Sequence, residues 1–289
     1  MIFLLNLLQR LFRPVFFLPA GVAVYIMRLK AEAVFQIARL TGLKKTVTIN
    51  FAKTFPQADA PALADKLLKN ISLSIFEMIC LPYFKKSHFN KISSIIGLEN
   101  LDKALAERKG AICLSMHTGN YELVPAALAV RGYHLTSIVK SPPDDPYFEF
   151  INRSRRFHGT KLINVLEDNM YREALQALAR DRCVGVLVDT GALEGRHEIM
   201  PFLGHKVPIA TGWITLAQRS EAPVLPFFSK REGNKVVITI GEPVHIYRDN
   251  KDEVVETIRK HYENLIKNHP EQWAIFINEQ EVKRMLEGK

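Results

Sequence analysis

The sequence has few cysteines, and none of them lie close together. Cys80, Cys113 and Cys183 are the three present, and no Cys-x-x-Cys pair occurs. Disulfide-stapled secreted domains are rich in cysteine, and cysteine-based zinc sites use closely spaced pairs. The sequence therefore argues against both kinds of site, and it predicts a protein of a reducing compartment whose thiols are buried.

The motifs of three common enzyme classes are also missing. The sequence contains no Gly-x-Ser-x-Gly elbow of a serine hydrolase, no His-Glu-x-x-His of a zinc protease and no glycine-rich nucleotide-binding pattern. His197 and Glu198 begin like the zinc motif, but the second histidine is absent. We therefore expect neither a metal nor a bound cofactor.

The first thirty residues have no acidic side chain, although they carry four basic ones among many leucines and phenylalanines. Their longest uncharged stretches, 1–9 and 14–27, are shorter than the roughly 20 apolar residues of a spanning helix. Aromatic and leucine side chains together with arginines are typical of a segment that lies in the headgroup layer. We expect residues 1–30 to form a membrane anchor that lies on the bilayer. The alternative is an apolar helix packed on the domain.

The rest of the composition describes a globular protein. A chain of 289 residues with 47% hydrophobic content supplies a substantial core. The 39 Lys and Arg against 30 Asp and Glu give a formal net charge of +9, which favours an acidic partner such as nucleic acid, an anionic membrane or an acidic protein, and charge alone does not choose among them. No internal repeat or linker is visible, so we expect residues 31–289 to form a single domain.

The hydrophobic pattern changes near residue 91. Up to that point the apolar spacing is helical, which predicts a helical N-terminal layer. Beyond it, short β-branched runs alternate with longer amphipathic stretches, so we predict an α/β fold with a central, mainly parallel sheet flanked by helices. The predicted strands are 92–98, 111–116, 134–139, 161–163, 184–188, 224–228 and 236–240. The predicted helices between them are 101–107, 121–130, 147–156, 169–180, 209–220 and 252–268.

A polar turn follows the predicted strand 111–116. It begins at His117 and reaches Glu122, and loops at the carboxyl ends of parallel strands carry functional groups in open α/β sheets. On one helix His117 and Glu122 would point about 140° apart, so their spacing favours a strand, a turn and a new helix. In that arrangement Gly119 permits the turn, and Asn120 caps the helix.

A neutral imidazole held by a carboxylate is a suitable general base for an alcohol. His117 is the candidate base, and Glu122 is the candidate acid beside it. Taken alone, this spacing favours instead a histidine that is satisfied by local backbone at the end of a strand.

Further segments resemble a known family in the same order along the chain. The chain resembles the bacterial lipid A late acyltransferases, whose relatives acylate lysophospholipids and phosphatidylinositol mannosides. The residues that carry the resemblance are 51–56, 117–123, Asp189 with 201–204, 222–226 and 269–273.

The resemblance implies an enzyme that moves a fatty acyl chain from a thioester to a hydroxyl of a membrane lipid. His117 matches the family base, and Glu122 matches the family acid. The implied base deprotonates the acceptor hydroxyl, which attacks the thioester directly, while cationic or amide groups stabilise the oxyanion. The donor is an acyl carrier protein or coenzyme A, and we expect the carrier protein.

Three arginines are candidates for binding the oxyanion or an acceptor phosphate. Arg153, Arg155 and Arg156 lie in a predicted helix that is similar to the family's basic segment, although a solvated basic face is the alternative for each. Arg153 and Arg156 are therefore predicted substrate-binding residues.

Several other polar residues have predicted roles. Asn120 and Asp189 are predicted to bind substrate, and Asp189 could also orient the catalytic loop. Glu198 is preferred over Glu194 as a second carboxylate for His117.

The sequence departs from the family at two places. His205 replaces a common arginine, and residues 274–278 lack the family's basic run. The acceptor therefore stays open between a lipid A precursor, a lysophospholipid, an aminoacyl lipid and a pigment-linked lipid. We expect the protein at the cytoplasmic face of the inner membrane, with anionic lipid and not nucleic acid as its partner. A membrane-associated lipid-binding protein without enzyme activity is the rival hypothesis.

Overall fold

Helices make up the N-terminal part of the computed structural model, which describes residues 2–189 and 197–287. Helix α4 begins behind Asp59, whose carboxylate accepts a hydrogen bond from the Ala62 amide, and Pro61 lies in its first turn. The helical layer that the apolar spacing predicts is therefore present. Its helices are α1 (Ile2–Phe12), α2 (Ala20–Arg39), α3 (Gly42–Thr54), α4 (Ala60–Cys80) and α5 (Lys86–Ile92).

A seven-stranded sheet follows, made of β1 (Ser93–Ile96), β2 (Ala111–Ser115), β3 (Leu135–Val139), β4 (Lys161–Asn164), β5 (Cys183–Leu187), β8 (Val224–Glu232) and β9 (Lys235–Ile240). The order of the strands in the sheet is β1-β9-β8-β2-β5-β3-β4. Neighbouring strands are parallel except for the β8 and β9 pair, so the predicted mainly parallel sheet is confirmed. Each of the seven strands overlaps one predicted segment, although the first is shorter than predicted and the strand that begins at Val224 extends four residues further, to Glu232.

A separate antiparallel hairpin consists of β6 (His197–Phe202) and β7 (His205–Ala210). Leu203 and Gly204 between them both have positive φ angles, 54° and 80°, which suits a two-residue turn that matches the strand twist. The prediction of a helix from 209 was wrong at its start, because residues up to 210 pair with β6. The helix begins at residue 212.

Helices cover both faces of the large sheet, as predicted. They are α6 (Leu98–Ala106), α7 (Leu123–Ala129), α8 (Pro146–Arg156), α9 (Met170–Leu178), α10 (Gly212–Ser220), α11 (Lys251–Asn268) and α12 (Glu279–Glu287). Two short 3-10 helices, Pro270–Gln272 and Ala274–Ile277, join α11 to α12.

Successive residues of β2 belong to two different hydrophobic cores. Ala111 and Cys113 pack with α5, α6 and α7, and we call this side the α7 face of the sheet. Ile112 and Leu114 pack with α9, α10 and α11, and we call this side the α10 face. The alternation follows from the period of two along a strand.

Helices α1 and α2, with the 3-10 helix Arg13–Phe17 between them, pack on the domain with one side and expose apolar side chains on the other. Phe12, Phe16 and Met27 are buried, whereas Phe3 and Phe17 are each 78% exposed. The expected boundary at residue 30 lies inside α2. No helix within the described ranges has the length and apolar character that crossing a membrane requires.

Candidate active site

The two groups at the centre of the site come from neighbouring strands. His117 follows β2 and Asp189 follows β5, and these strands are adjacent and parallel. The Asp189 Oδ1 atom lies 2.8 Å from His117 Nδ1, and its Oδ2 accepts hydrogen bonds from the His117 backbone amide at 2.9 Å and from Trp273 Nε1 at 2.6 Å. Asp189 therefore contacts both the imidazole ring of His117 and the backbone of the turn that begins there.

The electrostatics of this pair follow from burial and charge. Burial opposes a charge on either group, but the Asp189 carboxylate outweighs it and raises the pKa of His117 above its usual value. In the same way, burial is outweighed by His117 and by the hydrogen bonds to the carboxylate, so the pKa of Asp189 is lowered. Asp189 is thus an ionised carboxylate with a side chain only 2% exposed.

The turn after His117 requires glycine. Gly119 has a φ of +55°, and a Cβ atom there would lie 2.5 Å from the Ser229 carbonyl oxygen. The Gly119 amide donates to the Gln272 carbonyl at 2.8 Å, and the Ala274 amide donates to the His117 carbonyl at 2.8 Å. Strand β8 and the 3-10 segments after α11 therefore hold the turn in place.

Asn120 differs from its predicted role as a helix cap. Helix α7 begins one residue after Glu122, and the Asn120 side chain donates instead to Glu77 Oε2 at 2.6 Å. Glu77 is fully buried, and Arg231 donates to its two oxygens at 3.0 and 2.6 Å. Asn120 is thus attached to a buried ion pair, and it does not line the cavity beside His117.

Glu122 forms a two-point ion pair with Arg155 of α8. Arg155 Nε donates to Glu122 Oε2 at 2.7 Å, and Arg155 Nη2 donates to Oε1. Burial disfavours the charge of Arg155, but Glu122 outweighs this and raises the pKa of the guanidinium. Asn152 also holds the Arg155 guanidinium, because its Oδ1 accepts a hydrogen bond of 2.9 Å from Arg155 Nη1. The structure thus places the predicted acid next to a fixed cation.

The remaining predicted residues lie away from this centre. Arg153 Nη2 donates to Asn6 Oδ1 of α1 at 2.6 Å, and Arg156 is exposed. Glu198 is 51% exposed and lies 3.5 Å from Lys251 Nζ. None of these three predicted residues lines the cavity beside His117. Glu194 lies outside the described residues.

A cavity of about 600 Å³ opens beside His117. Tyr121, Glu122, Arg155 and Asp189 line it together with His117, and most of its other walls are apolar. The Tyr121 ring meets the imidazole edge to face, with 4.6 Å between ring centroids. A proton-accepting group thus borders a space that suits a hydrocarbon chain.

Four residues that support or border the site were not predicted from the sequence. Trp273 lies in a segment that carries the family resemblance, so the sequence indicated that this residue matters. The sequence did not indicate its hydrogen bond to Asp189. Glu77 lies in an apolar run of α4. A charged residue in such a run indicates a buried ion pair, and the partner of Glu77 is Arg231. Tyr121 gave no signal beyond its place in the turn.

A metal site requires several ligating side chains that lie close together. In residues 2–189 and 197–287, no group of three or more His, Cys, Asp or Glu side chains is arranged to hold a metal ion.

Comparison with known proteins identifies the family. The sequence model of the family described as bacterial lipid A biosynthesis acyltransferase matches residues 3–279. The search of curated proteins found no match. The family match covers nearly the whole chain, including the turn after β2, Asp189 and Trp273. The chain therefore belongs to the bacterial lipid A biosynthesis acyltransferase family.

Proposed function

We propose that this acyltransferase moves a fatty acyl chain from an acyl thioester to a hydroxyl of a membrane lipid, with His117 as the general base. The observation that carries the proposal is the contact of 2.8 Å between His117 Nδ1 and the buried Asp189 at the wall of an apolar cavity. A carboxylate at Nδ1 keeps a proton on that nitrogen, and it stabilises the imidazolium that forms when Nε2 accepts another.

The proposed reaction is a direct transfer. His117 Nε2 takes the proton of the acceptor hydroxyl while its oxygen attacks the carbonyl carbon of the thioester. The C–O bond forms and a tetrahedral oxyanion develops. When the C–S bond breaks, the thiol sulfur leaves and receives the proton from Nε2, which restores the neutral imidazole.

Arg155 is the proposed cation for the developing oxyanion or for a phosphate of the acceptor. It lines the cavity with His117, and Glu122 holds its guanidinium through two hydrogen bonds. A fixed donor needs no reorganisation during the reaction, which is the condition for effective oxyanion stabilisation. Glu122 thus serves catalysis by positioning Arg155 and by adding negative charge near His117.

The direct test is ester formation by the purified protein. It is incubated with an acyl thioester and, in separate reactions, a lipid A precursor or a lysophospholipid, and the products are identified by mass spectrometry. The proposal expects one new ester per acceptor and the loss of the corresponding acyl chain in lipids of a deletion strain. Lipid binding without any ester would instead support the non-enzymatic alternative.

The donor is proposed to be an acyl carrier protein, because the net charge of +9 favours an acidic partner. We expect kcat/KM with the acyl carrier protein to fall as salt rises from low to physiological strength, where charges are screened over about 8 Å. Parallel kinetics with acyl-coenzyme A give the comparison. Use of acyl-coenzyme A alone would contradict this choice of donor.

The exposed side of α1 and α2 is proposed to hold the protein on the cytoplasmic face of the inner membrane. Phe3, Leu7 and Leu11 recur at a spacing of four residues and are all exposed, and Arg10 and Arg13 beside them are exposed as well. Apolar side chains entering the headgroup layer and arginines near anionic lipid, at about 1 kcal/mol each, favour this surface.

Substitution of this surface provides a cleaner test than deletion, because deletion would also remove the buried Phe12, Phe16 and Met27. We expect the double change Phe3→Glu and Leu11→Glu to reduce flotation with anionic liposomes by at least about tenfold while the protein stays folded. Tyr247→Glu is the matched control, since Tyr247 is 54% exposed but follows β9. Unchanged flotation of the double variant would place the membrane contact elsewhere.

A further inference from the structure

The cavity beside His117 extends along both faces of the sheet. On the α7 face it is lined by Cys113 and Leu128, which belong to the core on that side. On the α10 face it is lined by Ala174 and Trp213, which belong to the other core. The cavity therefore passes around the carboxyl ends of the strands, where His117 lies. It has two apolar parts, which we call the α7 arm and the α10 arm.

Strand β5 separates the two arms. Gly185 and Val186 both line the cavity although they are consecutive, so they face different arms. Gly185 lies beside Cys113 and Ser137 in the strand register, and small side chains therefore line the sheet side of the α7 arm. Ser115, two residues before His117, continues this face, so the α7 arm begins directly at the base.

The aromatic side chains of the α10 arm have their polar atoms bonded to backbone. Trp213 Nε1 donates to the Ala210 carbonyl at 2.9 Å, and the Tyr171 hydroxyl donates to the Thr215 carbonyl at 3.0 Å. The remaining lining includes Met170 and Leu216. An occupant of this arm meets apolar surface and aromatic rings, which suits a hydrocarbon chain and disfavours a polar group.

We propose that the α10 arm binds the hydrocarbon chain of the acceptor lipid while the α7 arm binds the acyl chain of the donor. This inference rests on the proposed function, in which two lipid molecules meet at one base. A thioester carbonyl at His117 lies at the entrance of the α7 arm. Lys140, Glu281 and Arg284 also line the cavity, and they give the acceptor's polar headgroup charged surroundings outside the apolar arm.

Two substitutions narrow one arm each. Ala174→Leu adds bulk to the α10 arm. Gly185→Val adds bulk to the α7 arm, and a Cβ atom at Gly185 would have its nearest neighbour, Ser137 Oγ, at 3.7 Å, an ordinary contact. Met170→Ala enlarges the α10 arm and serves as a second variant there, because a leucine in place of the fully buried Ala174 can disturb folding. Each is assayed with donors of varied chain length and one acceptor, then with lysophospholipids of varied chain length and one donor.

We expect Ala174→Leu to shift the preferred acceptor chain to shorter lengths, and Met170→Ala to shift it to longer ones. Each should change the ratio of kcat/KM between long and short acceptors at least about tenfold, with the ranking of donors unchanged. Gly185→Val should shorten the preferred donor chain and leave the ranking of acceptors unchanged. Opposite responses to narrowing and widening one arm would not arise from general destabilisation.

Two outcomes would overturn the inference. If the α10 variants shift the ranking of donors, one bent donor chain fills both arms; if they shift neither ranking, the α10 arm is not a chain site. A binding measurement separates this result from failure of the proposed function. If the wild type forms no ester, the proposed function fails, and affinity for a fluorescent lysophospholipid that is unchanged in Ala174→Leu and Met170→Ala overturns the arm assignment independently.

Discussion

Replacement of His117 by alanine is expected to lower the rate of acyl transfer at least about 100-fold, the usual contribution of a general base. The fold should survive, because the Asp189 carboxylate keeps its hydrogen bonds from the residue 117 amide and from Trp273. Turnover of the purified variant and its thermal unfolding are measured together.

His245→Ala is the matched control for this variant. His245 is a partly exposed histidine whose Nε2 lies 3.2 Å from Glu107, away from the cavity residues, so its loss should leave turnover unchanged. A folded His117→Ala protein with wild-type turnover would remove the assignment of the base. Strong loss of wild-type activity on chelation would point to a metal.

Asp189→Asn is expected to lower turnover by on the order of 10⁴-fold, the effect of holding a base histidine in the wrong tautomer. The Oδ2 position receives two N–H donors, from His117 and Trp273, so the carbonyl oxygen of the new amide must take that place. Its NH₂ group then faces His117 Nδ1 and donates to it. The ring proton moves to Nε2, the nitrogen that must accept a proton from the acceptor.

The pH profile tests the same assignment. A general base works when it is neutral, so activity rises with pH through the pKa of His117, which Asp189 raises. Loss of the carboxylate charge lowers that pKa, and the acidic limb of kcat/KM should move to lower pH in Asp189→Asn. Glu198→Gln is the control and should leave the limb in place. A shifted limb in Glu198→Gln with an unshifted one in Asp189→Asn would make Glu198 the partner of His117.

The strands were predictable because each is a short β-branched run bounded by turns, and this signal is local. The β6 and β7 hairpin was not, since its exposed and partly exposed residues give no clear apolar alternation. The start of the following helix was therefore predicted at residue 209 although the helix begins at residue 212. Local pattern thus located the sheet and the turn after β2, where His117 lies.

Contacts between distant segments could not be read in the same way. Asp189 lies next to His117 because β5 pairs directly with β2, and this order of strands is not written in the spacing of either segment. From its local turn chemistry, Asn120 was predicted to cap the next helix. Its side-chain amide instead donates a hydrogen bond to the buried Glu77 of α4. The residue types thus indicated which side chains could act in the site, but their hydrogen-bond partners depend on the order of the strands and on the packing of distant helices.

The contacts that hold the turn after β2 come partly from a segment that is made late in synthesis. His117 and Gly119 leave the ribosome long before residues 272–274, which supply two backbone hydrogen bonds to the turn and the Trp273 contact to Asp189. A nascent chain that has passed Asp189 therefore has its histidine and its carboxylate but not the segment that fixes them. The contact between His117 and Asp189 therefore has its full set of supporting hydrogen bonds only after α11 has been made and the 3-10 segments behind it have docked.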